Sequence, residues 1–354
     1  MIEPKEKHGL VVRSDSLYCP IPLSIESYFW CEADCYHCYF RGLNHIWGKE
    51  LRPINLEALE KKLRAGLLNE NPKTSLAYCL SNKNTIRIGN KADGFQDAER
   101  EHGCSIGAMR VLRKMYWTYV VQTRFTANLM ELAGSEIEQA NKLHLITLLP
   151  VISPGMELDW EIFERKRTTP IPVRLKNIKH WIRKGIPLGV QGEPFIPGFH
   201  TLQDFEYMLY RLKEIGVNRY NTYNFHFTPF VAKRIYTLPG VDIERIWFEN
   251  QDIQWRKILP KLIDIAKRCN MILGCPDFVN SGWEYEQGCN TCCGIDVPRP
   301  TTFNTHCFKQ CLQKGIPLEK IEELTWDGSG NLEEGRAIIQ GTSKKNFTLK
   351  DIIK

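Results

Sequence analysis

The chain has 354 residues, of which 43% are hydrophobic and 25% charged, and its net charge is +6. These are ordinary values for a globular protein. No run reaches the ~18 uninterrupted apolar residues that a membrane helix needs, and the charged opening "MIEPKEKHGLVVRSDS" has no apolar segment of the secretory kind, so a cytoplasmic protein is expected.

In chain order, the first candidate strand is "PLSIESYF" (22–29), followed by a helix over 55–68. A strand at 85–90, a helix at 104–115, a strand at 117–123 and a helix at 127–140 come next. Then follow "LHLITLL" (143–149), a helix at 172–184, "IPLGVQGEPF" (186–195), a helix at 202–215 and "RYNTYNFHF" (219–227). The 202–215 helix is well marked: Thr201 and Asp204 form a capping box, Leu202, Phe205, Leu209 and Leu212 make an apolar stripe, and Gly216 ends it. A further helix spans 252–269, with Pro260 as a kink. Strands alternating with helices imply parallel strands and right-handed crossovers. Six such units predict an α/β fold, a partial (β/α)6 barrel over residues 21–270. A short N-terminal extension, 1–20, precedes it, and a small cysteine-rich C-terminal appendage, 271–354, follows. Ligands of such a barrel bind where the C-terminal ends of the strands gather.

Charge is unevenly spread. Between 161 and 190, Arg165, Lys166, Arg167, Arg174, Lys176, Lys179, Arg183 and Lys184 face only Glu161 and Glu164. Such a stretch can meet phosphates. It is also the pattern of a solvated outer helix face, because Leu175, Ile178 and Ile182 recur on the opposite side.

Thirteen cysteines in a reducing compartment point to metal rather than disulfides. Three of them, Cys31, Cys35 and Cys38, crowd into "WCEADCYHCYF" directly after the first strand. A four-iron, four-sulfur cube takes four thiolates, so three leave one iron with an open position, and an open position indicates catalysis rather than scaffolding. The competing reading is zinc held by three thiolates and a fourth ligand such as His37 or His45.

This C-x3-C-x2-C spacing, with Tyr36 between the second and third cysteines, resembles the signature of the radical S-adenosylmethionine superfamily. The order of "IGNKADGFQDAE", "VVQTRF", "ITLLP" and "FERKRTTPIPVRLKNIKHWIRKGIPLGVQGEPFIPG" is similar to its spore photoproduct lyase-like branch, over roughly residues 25–230. The resemblance implies a 4Fe-4S cluster on the three cysteines, and S-adenosylmethionine chelated at the open iron and split to a 5′-deoxyadenosyl radical. It also implies a flavodoxin- or ferredoxin-type electron donor. It places Arg124 at the cofactor's carboxylate, and Thr147, Glu193, Asn90 and Asp93 around the rest of the cofactor, with Tyr36 nearby. Each has an ordinary alternative: Asp93 can cap a turn, and Glu164 and Arg174 can be a structural ion pair. Photoproduct lyases carry a hydrogen-donating thiol after the second strand, whereas this chain has Lys91. Cys79 and Cys104 do not match that thiol and read as packed cysteines. The substrate radical then takes hydrogen back from deoxyadenosine or from a donor such as Tyr39.

A second group, Cys275, Cys289, Cys292, Cys293, Cys307 and Cys311, sits in the glycine- and proline-rich tail and suits a second cluster or a structural zinc. The expected substrate is a thymine-derived base in DNA, to be modified, isomerised or repaired. Such a base must be flipped out of a duplex, with Tyr223 and Phe225 as stacking or core residues. The alternatives are a peptide substrate and a zinc-stabilised nucleic-acid-binding protein without activity.

Overall fold

The computed structural model describes residues 7–12, 21, 23–43, 50–222, 225, 227–250 and 252–274. Strand β1 (Leu10–Val12) runs antiparallel to β2 (Leu23–Ile25) at the sheet edge. Strands β3 (Ile86–Ile88), β4 (Tyr119–Thr123) and β5 (Ile146–Pro150) follow in parallel. A second parallel set holds β6 (Val190–Gln191), β7 (Arg219–Asn221) and β8 (Ile272–Gly274). Single bridges from Leu148 to Leu188 and from Val151 to Gln191 join the two sets. The result is a curved wall running from β1 to β8, the partial barrel expected from the alternation.

All six expected strands are present, and β1 and β8 extend the wall at its two ends. Strand β6 is far shorter than the stretch 186–195 suggested. Pro187, Gly189, Gly192 and Pro194 interrupt that stretch, and the Glu193–Pro194 peptide is cis. Proline removes ladder donors and glycine contributes no packing, so pairing stops.

Helices follow the strands, and Asn55, Thr74, Thr201, Thr228 and Asp242 cap five of them with their side chains. The helices are α1 (Leu56–Leu67), α2 (Ser75–Ser81), α3 (Glu99–His102), α4 (Cys104–Lys114), α5 (Thr126–Lys142), α6 (Glu157–Ile162) and α7 (Ile171–Arg183). After them come α8 (Leu202–Glu214), α9 (Pro229–Tyr236), α10 (Ile243–Glu249) and α11 (Asp252–Arg268), which contains Pro260. The capping box of Thr201 and Asp204 forms as expected, and Gly216 follows the helix at φ +97°. No described helix is long and apolar enough to cross a membrane.

The alternation of the strands sorts side chains into two faces. Ile86, Ile88, Tyr119, Val121, Ile146, Leu148, Val190 and Tyr220 point to the helices and join the main core with Met109, Leu129, Ile178 and Trp181. Burying each such side chain contributes ~1.5–3 kcal/mol. The alternate positions, Ser24, Arg87, Gln122, Thr147, Gln191 and Asn221, are buried and polar, and they form the barrel interior. Arg87 donates to Gln122 at 2.8 Å and Asn221 donates to Gln191 at 3.1 Å. A hydrophilic interior suits a polar ligand.

A second cluster, Phe163, Ile196, Phe225, Val231, Ile235 and Ile246, receives Tyr36 and Tyr39 from the cysteine loop. Helix α9 contacts the 3-10 turn Tyr39–Leu43. A side chain at Gly42 would meet the Phe230 ring at 3.1 Å, so glycine permits this approach. The helix after β7 therefore returns over the loop after β2 and bridges the open side of the barrel.

Candidate active site

The cysteine loop leaves the C-terminal end of β2 and is tied down on all sides. Gln96 accepts from the Glu32 N–H at 2.6 Å and donates to the Trp30 carbonyl at 2.8 Å. Glu32 in turn accepts from the Ala98 N–H at 2.9 Å. The Cys31 carbonyl accepts from Arg41, whose guanidinium lies 4.0 Å from the centre of the Trp30 ring. From α9, Arg234 donates to the Cys35 carbonyl at 2.8 Å and to the Asp34 carbonyl at 3.0 Å. The Tyr36 N–H donates to the Phe163 carbonyl at 2.8 Å.

The three thiols sit close enough to feel one another. Burial pushes the Cys31 thiol up to about 12, with Asp93 and a Cys38 thiolate adding to the rise. Burial also pushes Cys35 well up; Arg124 opposes this, and charge on Cys31 or Cys38 reinforces it. Such thiols ionise when a cation neutralises them, which is what iron supplies. No group of three or more His, Cys, Asp or Glu among the described residues is arranged to hold a single metal ion. Cube ligands differ from those of a single ion, because each thiolate takes a separate iron. Three thiols on one clamped loop at the barrel mouth are the donor type that such a cluster takes.

His37, one candidate fourth ligand in the zinc reading, packs beside Arg124. The His37 Nε2 faces Arg124 Nη2 at 3.4 Å, and its ring packs edge-on against Phe163. Burial and Arg124 hold the imidazole down to about 3, so it is neutral, and its Nδ1 is buried with no partner. His45 and the cysteines at 275, 289, 292, 293, 307 and 311 lie outside the described residues.

Arg124, at the end of β4, is the centre of the polar site. Its Nε donates to Glu164 at 3.1 Å and its Nη2 to the Glu193 carbonyl at 2.8 Å. Its backbone N–H donates to Asp93 at 2.7 Å. Among the described residues its Nη1 has no partner. Asp93 also accepts from the Thr123 hydroxyl at 2.6 Å and from the Phe95 N–H at 3.0 Å, so it caps a turn and joins the ends of β3 and β4. Burial raises its carboxyl above the usual range. Glu164 and Arg174 form a fully buried ion pair, extended by Thr168. Burial pushes the Glu164 carboxyl up, but Arg174 and Arg124 hold it down to about 2.

The remaining expected residues lie on the same face. Asn90 follows β3, and its Nδ2 is buried with no partner. Thr147 is on β5, paired in register with Val120, and is buried in the barrel interior. Glu193 is half-buried after β6, and its carbonyl also accepts from Ser153 at 3.0 Å. The Tyr36 ring lies under Arg165 and Arg234, at 5.2 and 5.0 Å from its centre. Tyr39 opens the 3-10 turn and packs on the α9 cluster. The Lys91 N–H donates to Glu26 at 2.9 Å, and Cys79 and Cys104 are buried in the core, as expected of packed thiols. Phe225 is buried in the second cluster, its core alternative, while Tyr223 lies outside the described residues.

Three contributors escaped sequence reasoning. Glu26 is buried in the interior, accepts from Ser24, Lys91 and Ala92, and has a carboxyl raised by burial. Asp34 carries salt bridges to Arg41, Arg165, Arg167 and Arg234. Gln96 secures the cysteine loop. A signal existed only for Asp34, as an acidic residue between two cysteines in a chain with a basic run far downstream.

The fold is that of the radical S-adenosylmethionine partial barrels. Among solved structures, the complex of spore photoproduct lyase with a dinucleoside spore photoproduct is similar over 74% of this chain and 80% of that one, with a TM-score of 0.52 and 11% identity. SuiB of Streptococcus suis bound to precursor peptide SuiA is matched over 76% of this chain and 51% of that one, with a TM-score of 0.48 and 12% identity. No protein-family model matches the chain, and no curated protein matches it in sequence.

Proposed function

We propose that this protein is a radical S-adenosylmethionine enzyme acting on a nucleic-acid base, with a thymine-derived base in DNA as substrate. The observation that carries the reading is the loop of Cys31, Cys35 and Cys38, clamped at the strand ends beside Arg124 and the buried, unpartnered Asn90 amide. When bound, a 4Fe-4S cluster and S-adenosylmethionine supply one-electron cleavage to a deoxyadenosyl radical that takes hydrogen from an unactivated C–H bond.

The chain's own residues do the rest. Arg124 is pinned by Glu164 and the Glu193 carbonyl, which leaves Nη1 to meet a carboxylate. Asn90 offers an unmet donor. Thr147 and Glu193 are the further candidates around the cofactor, and Asp93 ties the end of β4 to the loop after β3. Tyr36, under two guanidiniums, sets the cluster face, and Tyr39 is the candidate hydrogen donor. The nucleobase assignment is supported by the likeness to a structure that binds a dinucleoside lesion. With Lys91 at the position of the lyase thiol, return of hydrogen from deoxyadenosine, hence isomerisation or modification of the base, is favoured over simple repair. A flavodoxin- or ferredoxin-type protein supplies the electron.

Anaerobic turnover with deuterium-labelled S-adenosylmethionine and DNA tests this. Deuterium passing from the cofactor into the DNA, with little net deoxyadenosine accumulating, is the expected result. Reduced, iron-loaded protein that leaves S-adenosylmethionine intact overturns the radical reading. Deoxyadenosine formation that responds to a peptide and not to DNA overturns the substrate.

A further inference from the structure

Four arginines converge on one carboxylate beside the cysteine loop. Arg41 lies 3.0 Å from Asp34 and Arg234 2.9 Å; Arg165 is bonded to the same carboxylate, and Arg167 lies 3.7 Å away. Four positive charges less one negative leave a surplus of three. The other nearby acids are already engaged: Glu161 with Lys166, and Glu164 with Arg124 and Arg174. Guanidiniums held this close repel one another, and a single carboxylate does not neutralise them.

The four divide into two kinds. Arg41 and Arg234 spend their remaining donors on the carbonyls of Cys31 and Cys35 and are mostly buried. Arg165 and Arg167 expose 32% and 48% of their side chains. At 3.7 Å, Arg167 makes no hydrogen bond to Asp34, and its guanidinium keeps donors to offer a ligand. The backbone that presents them is strained, since Arg165 and Lys166 both adopt left-handed conformations, at φ +56° and +54°. Left-handed geometry is unfavourable for residues with a Cβ and recurs at functional sites. All the contributing segments follow strand ends on the mouth face: the loop after β2, the connection between β5 and α7, and helix α9 after β7.

We propose that Arg165 and Arg167, gathered by Asp34, form a phosphate-binding rim that takes the backbone of a nucleic-acid strand whose base enters the barrel. This rests on the nucleic-acid reading above and adds to it that the substrate is a polymer, held through its phosphates, rather than a free nucleoside. Arginine forks match phosphate oxygens bidentately, and no lysine shares the cluster. The outer lysines of α7, Lys176 and Lys179, are solvated and lie on its far face, away from the buried Arg174 and Ile178.

The test is fluorescence anisotropy of a labelled single-stranded oligonucleotide against the full, anaerobically reconstituted chain over a range of salt. Each phosphate contact to a single strand contributes about −0.7 to the slope of log affinity against log salt. Arg165→Ala/Arg167→Ala is expected to reduce the magnitude of the slope by about 1.4, whereas Arg167→Lys alone keeps most of it. Equal thermal melts of the variants and the parent chain exclude loss of fold as the cause. If the parent binds DNA and the double variant binds it with the same slope, the rim is overturned while the nucleic-acid reading stands. If the double variant instead loses only its affinity for an acidic flavodoxin, the rim serves a protein partner and the proposal is overturned. If the parent chain binds no DNA at low salt, the rim and the nucleic-acid reading are both overturned.

Discussion

Arg124 and Glu164 meet at 3.1 Å, and the same carboxylate also pairs with the fully buried Arg174. One acid thus holds two cations, one facing the barrel mouth and one packed beneath it. The arrangement links fold stability to the geometry of the site. Replacing one partner of a buried pair leaves an uncompensated charge and costs ~3–5 kcal/mol. Arg174→Met is expected to fall in that range by urea unfolding. Glu164→Gln is expected to lower stability and to weaken S-adenosylmethionine binding together, because Arg124 loses its anchor.

The same carboxyl sets an acid limit. Its folded value of about 2 lies below the ordinary 4.5, so its contribution is complete above 4.5 and is lost as pH falls towards 2. Glu26 has the opposite sign: burial raises its carboxyl, so its contribution declines as pH rises past the ordinary carboxylate value. Urea midpoints measured from neutral pH downwards are expected to fall steeply in the parent chain and to flatten in Glu164→Gln.

Asn90 offers a test in which stability and function move apart. Its buried Nδ2 has no partner, and an unmet polar group costs ~1–3 kcal/mol. Asn90→Ala is expected to leave the melting temperature unchanged or higher while weakening S-adenosylmethionine binding about tenfold, measured by equilibrium dialysis. A drop in both would make Asn90 a structural residue.

Cys31→Ala, Cys35→Ala and Cys38→Ala are each expected to abolish the iron absorbance of the reconstituted chain at this loop and to end deoxyadenosine formation. Arg234→Gln is expected to retain the thiols but to lower iron affinity by ~10–100-fold, the usual effect of losing an outer-shell support. Iron content per chain after reconstitution reads both. Metal that persists in a variant lacking all three cysteines would belong to the C-terminal group.

Gly192 follows β6, where a methyl group would fall on the Tyr220 hydroxyl, itself bonded to the Ile152 carbonyl at 3.2 Å. Gly192→Ala is expected to destabilise the chain by ~1–3 kcal/mol through overpacking, read by urea unfolding.

Much of this was legible in the sequence, for physical reasons. Helices such as Leu202–Glu214 declare themselves through local caps and stripes, and Ile86–Ile88 and Ile146–Pro150 stand between turn residues. The cysteine spacing is likewise local. What sequence reasoning missed depends on distance: Asp34 acquires meaning only when Arg165, Arg167 and Arg234 arrive from other loops. Glu26 likewise acquires meaning only when the loop after β3 brings two N–H groups to it. Strands of three residues, such as Leu10–Val12 and Ile272–Gly274, are too short to show a period. Within the basic run, Lys176 and Lys179 of α7 are exposed as a solvated helix face requires, Arg174 is buried on Glu164, and Arg165 turns to Asp34 in the cysteine loop.

The hydrogen bond from Arg234 to the Cys35 carbonyl spans 199 residues of chain. Closing a loop of that length costs ~5 kcal/mol of entropy, which is recovered only once α9 has docked. During synthesis the ribosome releases the three thiols long before it makes the helix that fixes their loop. Iron delivered early meets a floppy tripod, and iron delivered after residue 234 has emerged meets a finished one. If these thiols hold the proposed cluster, its maturation is tied to completion of the barrel.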